Sequence, residues 1–145
     1  MIHFMDTSAL VKCYIEEPGS DKVQECLDRA TVIAVSRLAY IETLSALVRR
    51  RPSVRNCPDD QFKLLLESFR RDWKHFTVLG INEETLLHSD RLIETHCLRG
   101  ADSIHLSTAL SFQIVTKNPI LFVASDRELL KAASAERLMI LDPTV

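Results

Sequence analysis

The stretch ILFVASDRELL, residues 120–130, carries the clearest structural signal of the chain. Residues 120–124 form the most strand-like run of the chain, and a helical pattern opens at Asp126. The N-terminal stretch IHFMDTSAL, residues 2–10, repeats this arrangement, because a short apolar run ends at Asp6 and a helical pattern follows. Two units of this kind predict buried strands that each lead through an aspartate into a helix.

Strands and helices alternate along the rest of the chain. Further strand-like runs cover residues 31–35, 76–81 and 139–141, and helical patterns cover approximately residues 7–15, 37–50, 59–74, 82–96, 101–114 and 126–133, with another helix that begins at Ser20. The strands are apolar throughout rather than alternating, which is typical of a parallel sheet covered by helices on both faces. We therefore predict an α/β fold, a three-layer α/β/α sandwich with a central parallel sheet, with residues 1–145 as a single domain.

Three of the helices allow more detailed predictions. Thr7 or Ser8 is expected to cap the first helix. The helix over residues 37–50 has one apolar side, made up of Leu38, Ile41, Leu44, Ser45 and Val48. The helix over residues 59–74 has a bulkier stripe, made up of Phe62, Leu65, Leu66, Phe69 and Trp73. These two helices carry more apolar surface than one small core needs, which predicts an interface between two copies of the chain.

Composition excludes several classes of protein. Apolar residues make up 46% of the chain and charged residues 26%, values near the globular average that exclude disordered and fibrous chains. The net charge of −2 argues against binding to nucleic acid through bulk charge, but not against a local basic patch. The four cysteines form no C-x-x-C pair, which argues against structural zinc and indicates reduced thiols in the cytoplasm. No apolar run reaches membrane length, so we expect no membrane association.

Asp6 and Asp126 are expected to meet at one edge of the sheet. In open parallel sheets, ligands bind beyond the carboxyl ends of the strands, and both aspartates follow a strand. Asp102 lies in the first turn of a helical pattern. Two of these acids also have an ordinary structural explanation, because Asp126 is a suitable N-cap and Asp102 complements a helix dipole.

Glu42 lies at the rim of an apolar stripe, where a solvated glutamate is not expected. A buried carboxylate needs a cation or a partner, so Glu42 either faces a metal or pairs with Lys12 or Arg37. If the four acids meet, they form a cluster of negative charge that a hard cation neutralises. Carboxylate oxygens suit Mg²⁺ or Mn²⁺ rather than zinc.

Other polar residues have several readings. His105 follows Asp102 by three positions and therefore lies on the same helix face. It is a metal ligand, a packed histidine or a hydrogen-bond donor to a neighbouring carboxylate, and the sequence leaves these alternatives open. The basic stretches are Arg49-Arg50-Arg51 with Arg55, and Arg70-Arg71 with Lys74. Such runs usually form a solvated face, and as phosphate contacts they would hold a nucleic-acid backbone without reading its sequence.

An ordered set of motifs resembles a known family. The set consists of MDTSALVK at residues 5–12, EEPGS at 16–20, Glu42 in a helix, ADSIHLSTAL at 101–110 and SDRELLKAA at 125–133. It resembles the PIN-domain ribonucleases, most closely the VapC-like toxins of toxin–antitoxin pairs. The resemblance implies a PIN-like fold, binding of Mg²⁺ or Mn²⁺, cleavage of RNA, and silencing by a cognate antitoxin protein.

The resemblance also implies roles for individual residues. By resemblance, the catalytic residues are Asp6, Glu42, Asp102 and Asp126, and Ser8 also lines the site. From the chemistry of carboxylates, the expected metal ligands are Asp6, Asp102 and Asp126. Ser125 and His105 are further residues that are expected to line the substrate site. The predicted reaction is hydrolysis of an RNA phosphodiester by water that the metal activates. The expected partners are RNA, an antitoxin whose helix enters a groove, and a second copy of the chain.

The main alternative is a non-catalytic module that binds nucleic acid or a partner and retains a vestigial acidic site. A phosphatase of the haloacid dehalogenase type is excluded, because that class requires Asp-x-Asp after the first strand, and this chain has Ser8 where the second aspartate would stand.

Overall fold

The computed structural model describes residues 1–51 and 57–145, which fold around a five-stranded sheet. The strands are β1 (Ile2–Met5), β2 (Val32–Ser36), β3 (Thr77–Leu79), β4 (Ile120–Val123) and β5 (Met139–Leu141). Their order is β3-β2-β1-β4-β5, and every neighbouring pair is parallel. The predicted parallel sheet is therefore confirmed.

Helices connect the strands. Among the described residues they are α1 (Thr7–Leu10), α2 (Ser20–Arg29), α3 (Leu38–Arg50), α4 (Asp59–Trp73), α5 (Glu83–His96), α6 (Gly100–Thr116) and α7 (Arg127–Ala135). The first helix is shorter than predicted, because the chain tightens into a 3₁₀ turn over Val11–Cys13. No helix in the described part of the chain is long and apolar enough to cross a membrane.

The strands bury side chains on both faces of the sheet. On one face, the rings of Phe4 and Phe122 stack with their centroids 5.6 Å apart and belong to a core that includes residues of α5, α6 and α7. On the other face, Met5 and Val35 pack with residues of α1, α2 and α3. Successive residues of a strand point to opposite faces, so each strand supplies both cores. The predicted three-layer α/β/α fold is confirmed.

The buried face of α3 differs from the predicted one. Ala39, Thr43 and Leu47 are fully buried, whereas Ile41 and Val48, which were predicted to face inward, are 62% and 49% exposed. Apolar residues surround most of this helix, so its own pattern does not choose the face. Packing against the sheet and α1 on one side and against α4 on the other makes that choice.

The bulky stripe predicted for α4 is confirmed. Phe62 and Phe69 are buried, and Phe69 packs with Tyr40 of α3 at a ring-centroid distance of 5.4 Å. Trp73 meets the same tyrosine edge-on at 5.1 Å. This aromatic cluster supports α3, the helix that carries Glu42.

Candidate active site

Asp6 leaves β1 at the carboxyl edge of the sheet and is buried. Its backbone N–H donates to the Val123 carbonyl of β4 at 3.0 Å. One oxygen of its side chain, Oδ2, accepts from the backbone N–H of Ser8 at 3.2 Å and from the Ser8 hydroxyl at 2.7 Å. Asp6 itself is therefore the N-cap of α1, and the prediction that Thr7 or Ser8 takes this position is wrong. The reason is that Asp6 is still extended (φ −74°, ψ 160°), while Thr7 and Ser8 are already helical.

Ser8 links the ends of the two central strands. Its hydroxyl donates to Asp6 and accepts the backbone N–H of Ser125, the second residue after β4, at 2.9 Å. Asp126 follows and caps α7, because its Oδ1 accepts the N–H of Leu129 at 2.9 Å. The Ser125 hydroxyl is buried and has no hydrogen-bond partner among the described residues. The backbone N–H of Ser125 therefore holds this residue next to the site. Ser125 does not line the cavity that the acids share.

Glu42 joins the site from α3 and is held by two side chains. Thr7 donates its hydroxyl to Glu42 Oε1 at 2.9 Å, and His105 Nε2 lies 2.5 Å from the same oxygen. His105 is almost fully buried, and its Nε2 also lies 3.6 Å from Asp6 Oδ1. The partners considered from the sequence are wrong, because Lys12 pairs with Glu17 and Arg37 is exposed.

Asp102 approaches from the first turn of α6, opposite Asp126. Arg99, the N-cap residue of α6, reaches both acids: its Nε lies 3.5 Å from Asp102 Oδ2 and its Nη2 lies 3.5 Å from Asp126 Oδ2. The arginine is 83% exposed, whereas Asp102 and Asp126 are 21% and 34% exposed. An exposed arginine in such contacts contributes little to stability, so solvent ions and ligands can displace it.

The four acids surround one open cavity of about 310 Å³. Its remaining walls come from the first turns after β1, from α3 and from the start of α6; the lining residues are Asp6, Thr7, Ser8, Val11, Glu42, Ala46, Arg50, Arg99, Ala101, Asp102 and Asp126. His105 does not line it but stands behind Glu42. All four acids singled out in the sequence therefore reach one cavity at the carboxyl edge of β1 and β4.

Burial, hydrogen bonds and neighbouring charges shift the pKa values of three side chains at the site. Burial raises the pKa of Asp102, and the charges of Asp6 and Asp126 raise it further. For Glu42, burial acts upward, but the hydrogen bonds from His105 and Thr7 and the charge of His105 outweigh it, and the pKa is lowered. For His105, burial acts downward, but the hydrogen bond to Glu42 and the neighbouring carboxylates outweigh it, and the pKa is raised. Both shifts favour the ionised form of the Glu42–His105 pair, whereas the shift of Asp102 disfavours its ionised form.

The donor set suits a hard cation, although the acids are not yet arranged around one. In the described residues, no three His, Cys, Asp or Glu side chains stand in positions to hold one metal ion. Asp6 contacts Ser8, while Asp102 and Asp126 contact Arg99. Burial, together with the charges of Asp6 and Asp126, raises the pKa of Asp102, and a bound cation would favour its ionised form. Oxygen donors with uncompensated negative charge fit Mg²⁺ or Mn²⁺.

Sequence reasoning missed several residues of the site. Thr7 was considered only as a cap, and Arg99 not at all, although its position three residues before Asp102 is a helical neighbour spacing. Of the basic stretches, Arg50 lines the cavity, whereas Arg49, Arg70, Arg71 and Lys74 are exposed and do not line it. Arg55 lies outside the described residues.

Sequence comparisons identify relatives. The model of the family described as "PIN domain" matches residues 4–135. The proteins named Ribonuclease VapC45 and Ribonuclease VapC49 of Mycobacterium tuberculosis are each 34% identical to this chain over 112 residues, which is 74% of this chain and 74% of each relative. Ribonuclease VapC46 of the same organism is 30% identical over 106 residues, or 73% of this chain and 72% of that relative.

Solved structures share the fold. The structure of FitAcB from Neisseria gonorrhoeae superposes with a TM-score of 0.72 at 16% identity and covers 99% of this chain and 98% of its own. A toxin–antitoxin complex from Klebsiella pneumoniae gives a TM-score of 0.62 at 13% identity, with 97% of both chains covered. At such low identity, these matches support the architecture alone.

Proposed function

The chain belongs to the PIN domain family, and from this premise we propose that it is a metal-dependent endoribonuclease, the toxin component of a type II toxin–antitoxin pair. The observation that carries the proposal is the meeting of Asp6, Glu42, Asp102 and Asp126 in one open cavity. Relatives that are 34% identical and bear the name ribonuclease support RNA as the substrate. Residues 1–145 would form a single PIN-like nuclease domain, as the sheet shared by all five described strands suggests.

Asp6, Asp102 and Asp126 are the residues that would hold Mg²⁺ or Mn²⁺. When bound, the metal supplies positive charge that neutralises the carboxylates, polarises the phosphate and acidifies water. Arg99, which now contacts Asp102 and Asp126, would yield these oxygens and turn its charge to the RNA backbone. Because Arg99 is exposed, this movement breaks few packing contacts and costs little free energy.

The chain's own residues prepare the attack on the phosphate. Ser8 fixes Asp6 through two hydrogen bonds, one from its backbone and one from its hydroxyl. Thr7 and His105 both bind Oε1 of Glu42, which lines the cavity, so Oε2 is the oxygen through which Glu42 would orient a water and accept its proton. The lowered pKa of Glu42 keeps it ionised for that role.

Two protein partners complete the proposal. Solved toxin–antitoxin complexes with this fold support an antitoxin partner, whose helix would enter a groove on the surface. We also propose a homodimer, because Ile41 and Val48 of α3 and Leu64 of α4 expose much of their apolar surface. Sedimentation at micromolar concentration should show a dimer, and a purely monomeric protein would remove this part of the proposal.

The cytoplasm is the expected location, since the RNA substrate and the antitoxin would be found there. The four cysteines are unpaired, as expected of a reducing compartment.

The experiment that tests the function is RNA cleavage with Mg²⁺ or Mn²⁺ and with a chelator. Wild type should cleave only with metal and leave 5′-phosphate and 3′-hydroxyl ends, because water attacks the phosphorus. Asp6→Asn and Asp102→Asn should lower the rate by orders of magnitude while the circular dichroism spectrum stays unchanged. Asp28→Asn, a matched change on the exposed surface of α2, should cleave like wild type.

Two results would contradict this function. Cyclic 2′,3′-phosphate ends would mean that the RNA's own hydroxyl attacks, without need of the acidic cluster. Binding of RNA or of a partner without cleavage would favour the alternative, a non-catalytic module with a vestigial site.

A further inference from the structure

A chain of three charged side chains leads from the turn after α1 to the rim of the acidic cavity. Lys12 Nζ lies 2.8 Å from Glu17 Oε1, and Arg50 Nη1 contacts Glu17 Oε2. We propose that Arg50 binds a backbone phosphate of the RNA beside the acidic cavity, and that Glu17 and Lys12 are positioning residues for it. This inference rests on the proposed function, since it concerns the substrate of the same site.

Lys12 is the buried anchor of this chain of charges. Its side chain is only 7% exposed, and an ammonium group taken out of water costs several kcal/mol unless a partner compensates it. Glu17 supplies the compensating charge and is itself 21% exposed. The pKa of Glu17 is lowered: burial acts upward, but the hydrogen bonds and charges of Lys12 and Arg50 outweigh it. The carboxylate is therefore held on both of its oxygens.

The turn that follows fixes the backbone of Glu17. The backbone N–H of Glu17 donates to the Ser20 hydroxyl at 3.0 Å, and that hydroxyl donates to the Ile15 carbonyl at 3.3 Å. Gly19 has a φ of +96°, and a Cβ at this position would lie 2.7 Å from the Pro143 carbonyl oxygen, so the tight turn requires glycine. The motif EEPGS at residues 16–20 thus builds a rigid support for one carboxylate.

Arg50 reaches the cavity because of helical spacing. Glu42, Ala46 and Arg50 follow one another at intervals of four residues on α3, and all three line the cavity. Arg50 is 44% exposed, and a substrate can therefore approach it from solvent. A guanidinium group carries five N–H donors in a fork and can join a carboxylate and a phosphate at the same time.

The charges explain why this support is needed. The acidic cavity repels an RNA backbone, so cations at its rim have to offset the repulsion. Arg99, the other cation that lines the cavity among the described residues, contacts two of the proposed metal ligands. Glu17 instead holds Arg50 to the side of the acids, and Lys12 balances the charge of Glu17. Lys12, Glu17 and Arg50 together carry a net charge of +1, which offsets part of the repulsion between the acids and a phosphate.

The test is binding of a fluorescein-labelled single-stranded RNA, measured by anisotropy in chelator across a series of salt concentrations. Arg50→Ala should weaken binding roughly 10-fold, as expected for one charged contact. It should also reduce the slope of log affinity against log salt by about 0.7, the value for one phosphate of a single strand. The loss should be equal for RNAs of different sequence, because a phosphate contact reads no bases. Arg49→Ala is the control, since it removes the same charge from the neighbouring exposed residue.

Glu17→Gln separates positioning from bulk charge. Removing a negative charge should strengthen RNA binding if only net charge matters, whereas loss of the Arg50 support should weaken it. The double variant Lys12→Met/Glu17→Gln removes the Lys12–Glu17 pair, leaves no buried unpaired charge and keeps the net charge unchanged. It replaces Glu17→Gln in the binding assay if that single variant unfolds. We expect this double variant to bind RNA as weakly as Arg50→Ala, with the unfolding transition of an intact fold.

Several results would overturn the inference. The first is a wild-type protein that does not bind RNA. The second is an equal loss of RNA affinity in Arg49→Ala and Arg50→Ala, and the third is a double variant that binds RNA like wild type. The proposed function fails separately: wild type that binds RNA through Arg50 but does not cleave it with metal refutes the nuclease and leaves this inference standing. Conversely, metal-dependent cleavage with normal RNA binding by Arg50→Ala refutes this inference alone.

Discussion

At the scale of single residues, Asp126 combines two duties that substitution can separate. It caps α7 through Leu129 and lines the acidic cavity. A cap needs only a short polar side chain, whereas a metal ligand of this kind needs the negative charge. The same distinction applies to Asp6, which caps α1 through Ser8.

We predict that Asp126→Asn and Asp126→Ser keep the free energy of unfolding within roughly 0.5 kcal/mol of wild type, while Asp126→Ala costs about 1 kcal/mol. All three variants should lose RNA cleavage, because none carries the charge. Urea unfolding and cleavage assays on the same preparations measure both effects. Normal cleavage by Asp126→Asn would show that Asp126 is only a cap.

At the scale of helices, an ion-pair cluster joins α5 to the end of α7. Arg91 Nη1 and Nη2 lie 2.9 and 3.0 Å from the two carboxylate oxygens of Glu136, and His96 Nε2 lies 2.8 Å from Oε1. The hydrogen bonds from Arg91, with those of His96, lower the pKa of Glu136 to about 2, although burial opposes them. This cluster lies outside the acidic cavity and tests the fold independently of catalysis.

A carboxylate whose pKa is lowered by folding stabilises the folded chain when the pH is above the ordinary pKa of glutamate. This stabilisation is lost as the pH falls through the pKa that the group has in the folded chain. Glu136→Gln should therefore lower the free energy of unfolding by about 1 kcal/mol near pH 7, since Arg91 is half-exposed and solvent screens the pair. This difference should shrink as pH falls from about 4.5 toward 2. Urea unfolding at several pH values measures it, with Glu94→Gln, an exposed residue of α5, as the control. A difference that does not depend on pH would contradict the account.

The helices also show where prediction from sequence succeeds and where it stops. The stripe of α4 was predictable, because Phe62, Phe69 and Trp73 dominate one side of that helix. The buried face of α3 was not, because apolar residues lie on several sides and its neighbours decide which side is covered. Glu42 was expected to need a cation or a partner, and His105 was considered as a hydrogen-bond donor to a neighbouring carboxylate. Because the two residues lie 63 positions apart in sequence, no local pattern could pair them with each other.

At the scale of the whole molecule, strand direction brings the site together. Apolar runs predicted parallel strands, and parallel strands that end at Asp6 and before Asp126 must present both acids at one edge. This much of the site could be predicted from the sequence. The contact of Arg99 with Asp126, and the support of Arg50 by Glu17 and Lys12, depend on the packing of elements that are distant in sequence, so local spacing could not indicate them.

Thermal unfolding with and without Mg²⁺ tests directly whether the four acids form a metal site. At about 100 times its dissociation constant, Mg²⁺ should add about 2.7 kcal/mol to the stability of wild type. That raises the melting temperature by roughly 5–10 °C for a chain of this size. Asp102→Asn should melt at or above the wild-type temperature without metal, because burial and the charges of Asp6 and Asp126, which raise the pKa of Asp102, make its ionised form costly in the folded state. It should also lose most of the Mg²⁺ shift, whereas equal shifts in wild type and Asp102→Asn would contradict the metal site and remove the physical basis of the nuclease.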